Sequence, residues 1–330
     1  MPYTLDQQWF AEVLPHLSRL PVDRMKRGNP DYKLEALRHD FPLMFNLFNE
    51  NWPAPEGVKE IKHDITAWDG TTISVYQFSP PAGSTPAAQP TAAGLHFHAG
   101  ALVTCAVEHQ SRYVAWLAKE SGIPMFSVEY RLAPEIPGVS IIKDAYSALT
   151  WLQSKSADLN IDPARIAVLG ESAGGGISAG LCLYARDQGL KPPIKKQILI
   201  YPSLDHRTPK CDPEMKPMLG WHPEESLEAW THVLGRDPNG PVDDIDGLQY
   251  ISASRAKSVE GVPDAYVEVG SLDILLPEDV DYATRLLREA KVQVELHVWP
   301  GVAHGWDLVD PTPTVTRTAL ARRVAALKSV

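Results

Sequence analysis

The chain has 330 residues, 44% of them apolar, and a formal charge of −10. That is enough for one large α/β domain with an insertion, or for two ordinary domains. The acidic balance argues against a nucleic-acid partner, because phosphate binding needs a basic face. The three cysteines, Cys105, Cys182 and Cys211, lie far apart with no C-x-x-C, a spacing that indicates neither zinc nor a disulfide framework.

The N-terminal stretch MPYTLDQQWFAEVL has neither the basic start nor the apolar core of a signal peptide. No charge-free apolar run approaches the roughly 20 residues of a membrane-spanning helix, so a soluble cytoplasmic protein is expected. Residues 1–57 read as a helical N-terminal segment. Phe41, Met44, Phe45 and Phe48 fall at i, i+3, i+4 and i+7, one face of a helix. Pro42 is expected in the first turn of that helix, where proline is tolerated. The apolar face either packs on the body of the protein or lines a ligand pocket.

From residue 58 the period changes. EIKHDITAWDGTTISVYQFSP predicts two strands around a turn at Asp69-Gly70, and PPAGSTPAAQP a surface loop. Strands are then predicted over Ala92–Phe97, Pro124–Tyr130, Arg165–Gly170, Gln197–Tyr201, Ala265–Gly270 and Val292–Val298. Amphipathic helices are predicted near Glu108–Ser121, Ile141–Ser154, Ser172–Asp187, Pro277–Ala290 and Pro313–Lys328. Alternating β and α with wholly apolar strands such as IAVLG implies an α/β fold, with a mostly parallel sheet of about eight strands covered on both faces. About 60 residues separate Tyr201 from Ala265, with one helix near Glu224–Leu234. So long a connection is usually functional, and it reads as an insertion, residues 205–250, over the C-terminal edge of the sheet. The core is then residues 58–204 and 251–330.

The chemistry centres on RIAVLGESAGGGISAGLCLYA. Gly170-Glu171-Ser172-Ala173-Gly174 is a G-x-S-x-G between a buried strand and a small-residue helix, the setting of a nucleophile elbow. A dinucleotide loop G-x-G-x-x-G does not occur. A serine needs a base, and in such a fold acid and histidine follow it in that order on later strand-end loops. His304, just past a strand in PGVAHGW, is the candidate base. Asp273, just past a strand in GSLDILLPEDVD, is the candidate acid, with Asp205 as fallback. His206, His222 and His232 fit the order poorly, and His297 belongs to a strand's polar face.

Upstream lies HFHAGALV. His96 and His98 share one strand face, so a metal pair is geometrically allowed. A catalytic zinc site needs three protein ligands, and no H-x-H-x-D-H run supplies them. No metal or cofactor is expected.

GESAGG (170–175), YRLAPE (130–135), DAYSAL (144–149), IDPARIAVLG (161–170), SLDILLPED (271–279) and AHGW (303–306) occur in the order of one family. With them, the chain from about residue 60 to 320 resembles the hormone-sensitive-lipase-like branch of α/β-hydrolase serine esterases. The resemblance implies an α/β-hydrolase fold with a helical cap built from residues 1–57 and 205–250, and metal-free hydrolysis of carboxylic esters of short to medium acyl chain. Ser172, His304 and Asp273 would form the triad. The family's H-G-G-G loop is here His98-Ala99-Gly100-Ala101, so the backbone N–H groups of Gly100, Ala101 and Ala173 would form the oxyanion hole. His98 would anchor that loop, with His96 as a core or ligand-adjacent residue. Alanine keeps its N–H, but at a position with φ > 0 its methyl costs on the order of 1 kcal/mol and narrows the pocket. Phe41, Phe45, Met218 and Trp221 would line an apolar substrate pocket. The expected partner is a small-molecule ester, with a homodimer left open. Two rival activities come with the scaffold: a non-hydrolytic biosynthetic enzyme (lyase, cyclase or acyltransferase) and a ligand-binding receptor.

Overall fold

The computed structural model describes residues 3–20, 27–83 and 89–330. Part of the loop expected at 80–90, residues 84–88, lies outside them, as do residues 1, 2 and 21–26 of the N-terminal segment. Two helices open the chain, α1 (Gln7–Leu17) and α2 (Leu34–Asn51). A hairpin of β1 (Lys59–Thr66) and β2 (Thr72–Ser79) follows. The chain continues as β3 (Thr91–Phe97), α3 (Ser111–Ser121), β4 (Met125–Glu129), α4 (Gly138–Ser154), β5 (Ile161–Glu171), α5 (Ala173–Asp187) and β6 (Lys196–Ile200). After a long excursion holding α6 (Pro223–Leu234) and α7 (Leu248–Ile251), it returns through β7 (Asp264–Leu272), α8 (Leu276–Arg285), β8 (Val294–Ala303), α9 (Trp306–Val309) and α10 (Thr314–Lys328).

The eight strands form one sheet in the order β1-β2-β4-β3-β5-β6-β7-β8. Both pairings of β2 are antiparallel, and those from β4 to β8 are parallel. The central strands are buried along most of their length, as in β3 from Ala92 to Phe97 and β5 from Ile166 to Glu171. This is why they read as continuous apolar runs rather than alternating ones. β8 is, with β1, an edge strand and alternates exposed with half-buried residues over most of its length. It also runs five residues beyond its predicted end, through Pro300. Proline is tolerated there because an edge strand has one side without a ladder partner.

The N-terminal helices differ from expectation in one respect. Pro42 stands inside α2 rather than in its first turn, because the helix starts at Leu34. Lys33 offers no side-chain cap; instead the Leu34 N–H donates to Glu228 Oε1 of α6 at 2.9 Å. A helix start capped from a distant segment carries no local sequence signal. The apolar stripe keeps its phase: Leu37, Phe41, Met44, Phe45 and Phe48 are all buried. Arg27 adds a second tie between the N-terminal segment and the 205–250 stretch, donating to both carboxylate oxygens of Glu225 at 2.7 and 2.9 Å. No helix among the described residues is long and apolar enough to cross a membrane.

Candidate active site

Strand register brings the predicted site residues to one edge of the sheet. Phe97 of β3 pairs with Gly170 of β5, so the 98–101 loop and Ser172 leave adjacent strands side by side. Leu272 of β7 pairs with Ala303 of β8. Asp273 and His304 are each the next residue along, and therefore emerge together.

Ser172 sits between β5 and α5 with φ 55° and ψ −115°. A non-glycine residue held there stores strain of order 1–3 kcal/mol, and the turn aims its side chain out of the sheet. Strand and helix meet closely enough that a Cβ on Gly174 would lie 1.8 Å from the Phe97 carbonyl oxygen. That contact fixes glycine two residues after the serine. Ser172 Oγ lies 2.8 Å from His304 Nε2, and His304 Nδ1 lies 2.7 Å from Asp273 Oδ2. The other oxygen of Asp273 accepts from the Leu275 N–H at 2.9 Å, which fixes the carboxylate's rotation. With Asp273 ionised, His304 carries its proton on Nδ1 and offers Nε2 to the serine. Tyr201 packs against the imidazole, ring centroids 4.8 Å apart.

The remaining candidates fall elsewhere. Asp205 is engaged by Arg207, His206 by Ser252, His222 by Glu225 and His232 by Glu228. His297 bonds Glu295 and stacks on Trp299 on the edge strand.

In the 98–101 loop, Gly100 has φ 132° and Ala101 φ 54°, while Ala99 is not in the left-handed region. A Cβ at Gly100 would meet the Thr104 carbonyl oxygen at 2.1 Å, so glycine is required there. Of the two alanines, only Ala101 bears conformational strain. The N–H groups of Gly100 and Ala101 donate to no backbone carbonyl among the described residues. Ala173 opens α5, where the first N–H groups have no intrahelical acceptor. Three donors are thereby free for an anionic oxygen. The loop is anchored by His98, whose Nδ1 donates to the Ala99 carbonyl at 2.7 Å and whose ring stacks on Tyr130 at 4.2 Å. The Tyr130 hydroxyl in turn donates to the His98 carbonyl at 2.8 Å. Burial pushes the His98 imidazole down to about 3, against the opposing pull of that Ala99 carbonyl, so it serves as a neutral anchor.

Ser172 and His304 open into a cavity of about 140 Å³ lined by Gly100, Ala101, Phe41, Phe45, Met218 and Trp221, with further apolar residues from α1 and α9. A void of that order holds one aromatic ring. Trp221 and Phe41 meet edge to face at 5.8 Å, and Trp221 lies 6.4 Å from the His304 ring. Thus α1, α2 and the 205–250 stretch form the wall opposite the sheet.

His96 is not a free ligand. Its Nδ1 is 2.8 Å from Ser127 Oγ and its Nε2 2.9 Å from Glu171 Oε2. No cluster of three or more His, Cys, Asp or Glu among the described residues could hold a metal. Sequence reasoning missed several residues that support the site. Glu171, Gln110 and Tyr201 touch it from beneath, and Arg323 of α10 is buried between Glu268 and Asp307. Glu171 has one local signal, its place in the G-x-S-x-G. The others have none, since their contacts join segments remote in sequence.

Residues 94–308 match the family model described as alpha/beta hydrolase fold. The chain is 37% identical over 208 residues to carboxylesterase NlhH of Mycobacterium tuberculosis, covering 61% of this chain and 62% of that one. It is 29% identical over 279 residues to an ethyl acetate hydrolase of Pseudomonas putida, covering 83% and 84%. Among solved structures, a bacterial heroin esterase superposes with a TM-score of 0.84 at 31% identity, over 99% of this chain and 98% of that one.

Proposed function

The chain belongs to the hormone-sensitive-lipase-like family of α/β hydrolases, and from that membership we propose that it is a serine carboxylesterase acting on small carboxylic esters. The observation that carries this reading is the unbroken relay from Ser172 Oγ through His304 to Asp273, at 2.8 and 2.7 Å, facing an apolar cavity.

In the proposed reaction His304 Nε2 takes the Ser172 proton as Oγ attacks the ester carbonyl. The carbonyl oxygen becomes an anion held by the N–H groups of Gly100, Ala101 and Ala173, donors already oriented before the charge develops. His304 then gives its proton to the departing alkoxide, which leaves as the alcohol. Water, deprotonated by the same imidazole, attacks the acyl-enzyme and releases the acid and Ser172. Asp273 orients the ring and stabilises the imidazolium. Residues 1–57 and 205–250 act as the cap, and the size of the cavity together with relatives named for ethyl acetate and carboxylic esters supports short to medium acyl chains. The two alanines of the loop remove no donor, so nothing in the site favours a non-hydrolytic activity.

Turnover of p-nitrophenyl acetate, butyrate and octanoate by the protein and by Ser172→Ala tests the reading. Turnover lost in the variant, with organophosphate labelling confined to the unmodified protein, is expected. Absence of turnover and of labelling in both refutes it.

A further inference from the structure

Beneath the reactive groups runs a buried polar chain that the relay does not use. It starts at Ser127 on β4, passes through His96 on β3 to Glu171 on β5, and ends at Gln110, just before α3. All four side chains are almost fully buried. Gln110 makes two contacts of opposite polarity. Its Oε1 accepts from the Ala99 N–H at 2.7 Å, and its Nε2 donates to Glu171 Oε2 at 3.2 Å. Ala99 is the residue before Gly100, and Glu171 the residue before Ser172. One side chain therefore spans the loop that presents two of the oxyanion donors and the turn that presents the nucleophile.

The polarity of this link follows from hydrogen-bonding capacity. An ionised carboxylate only accepts. Burial opposes ionisation of Glu171, but His96, Arg323 and the Tyr113 hydroxyl together outweigh it and hold the carboxyl below its ordinary range. His96 Nε2 must then donate to Oε2, and so must the Gln110 NH2. An amide has one oxygen and one nitrogen, so fixing NH2 on Glu171 turns Oε1 towards the Ala99 N–H. In the flipped amide two donors would face each other at 2.7 Å, and a carboxylate would face an oxygen.

We propose that Gln110 is a positioning residue that sets the oxyanion loop against the nucleophile turn, its amide orientation dictated by the buried Glu171–His96 pair. The proposal rests on the esterase reading above. It assigns no contact with substrate to Gln110. It predicts that the link acts on the transition state, because the distance between Ser172 Oγ and the Gly100 and Ala101 donors matters most when the carbonyl oxygen carries charge.

The test uses the full chain with Gln110→Met, close in shape but unable to accept, and Gln110→Asn, amide-bearing but one methylene too short to span both partners. Expected for both is a fall in kcat of about tenfold or more with KM within about twofold, the signature of an interaction made in the transition state. Affinity for a trifluoromethyl ketone, which adds Ser172 to give a tetrahedral oxyanion, should fall in step with kcat. Gln110→Met and Glu171→Gln should be strongly non-additive in kcat, the double variant no slower than the worse single one by more than about twofold. If Gln110→Met does not fold, judged by its thermal transition, Gln110→Asn decides. Unchanged kcat and ketone affinity in the folded variant overturns the proposal, as does a loss expressed only in KM or only in the melting temperature. Ser172→Ala separates the two readings. If it abolishes turnover while the Gln110 variants are unimpaired, positioning alone fails; if it retains turnover, the esterase reading fails as well.

Discussion

Arg323 of α10 ion-pairs with Asp307, three residues beyond His304, and the same guanidinium reaches Glu268 on β7. Asp307 also accepts from the Tyr201 hydroxyl at 2.8 Å, and Tyr201 packs on the His304 ring. The last helix thus holds the far side of the histidine loop through charge. Removing one member of a buried ion pair leaves an uncompensated charge, typically at a cost of about 3–5 kcal/mol. Arg323→Met is expected to lose stability of that order in urea denaturation. Burial already raises the Glu268 carboxyl, and Arg323 opposes it, so the variant's pKa should rise further. A raised folded pKa contributes stability at low pH that is lost as pH rises. The deficit of the variant should therefore be larger at pH 8 than at pH 5.5; a deficit independent of pH would count against the ion-pair account.

Ala101 carries the strain in the 98–101 loop. Ala101→Gly relieves a left-handed alanine worth about 1 kcal/mol, offset in part by the entropy of a glycine in the unfolded chain. The expected outcome is near-neutral or slightly raised stability with higher kcat/KM on bulky esters, since a methyl leaves the cavity wall. Ala99→Gly has no positive φ to relieve and should gain no stability. Gly100→Ala, whose Cβ would strike the Thr104 carbonyl oxygen at 2.1 Å, should lose most of its activity. An acyl-chain series on the three variants checks the ordering.

His98 links the loop to pH. Its folded imidazole is pushed down to about 3, below the unfolded value of about 6.5. Between those values the unfolded chain binds the extra proton, so stability rises with pH across that window and falls on acidification. Urea midpoints at pH 7 and pH 5 should differ in that direction, and His98→Asn, though less stable at pH 7, should show a shallower pH dependence. Equal slopes would remove His98 from the account.

Trp221 closes the cavity between Phe41 and the His304 ring. Trp221→Ala should lengthen the accepted acyl chain, raising the octanoate-to-acetate ratio of kcat/KM by about tenfold, the scale of a methylene or two in an apolar pocket. An unchanged ratio would move the acyl site away from this residue.

Asp273→Asn leaves the relay geometry but favours the wrong imidazole tautomer, and kcat should fall by about 10⁴. Substitution of Asp205, which is buried and bound to Arg207 rather than to His304, should leave kcat within about threefold.

Strand identity was legible because central strands are apolar on both faces, and the convergence of Ser172, Asp273 and His304 because each follows a recognisable strand end. The start of α2 was not legible, since its cap comes from Glu228. Pro42 was accordingly placed in the first turn of a helix when it lies well inside one. The supporting polar groups were equally hidden. Arg323 reads as one more cation on a surface helix until β7 and α9 bring Glu268 and Asp307 to it, and Gln110 reads as an ordinary polar residue near a helix start. His96 and His98 invited a metal reading because sequence gives spacing but not partners: His96 is held by neighbours at both ring nitrogens and His98 through Nδ1.

β8 is paired on one side only, yet it delivers His304, while Ser172 and the 98–101 loop stand on central strands. Edge elements open at lower free energy than the middle of a sheet. Mild denaturant should therefore silence the protein by local fraying before the sheet melts, and it should do so reversibly. Hydrogen exchange would record the event as early loss of protection along β8 against persistent protection in β5. The working lifetime of this molecule is then set by its outermost strand rather than by its core, and a brace along that edge is the direct route to prolonging it.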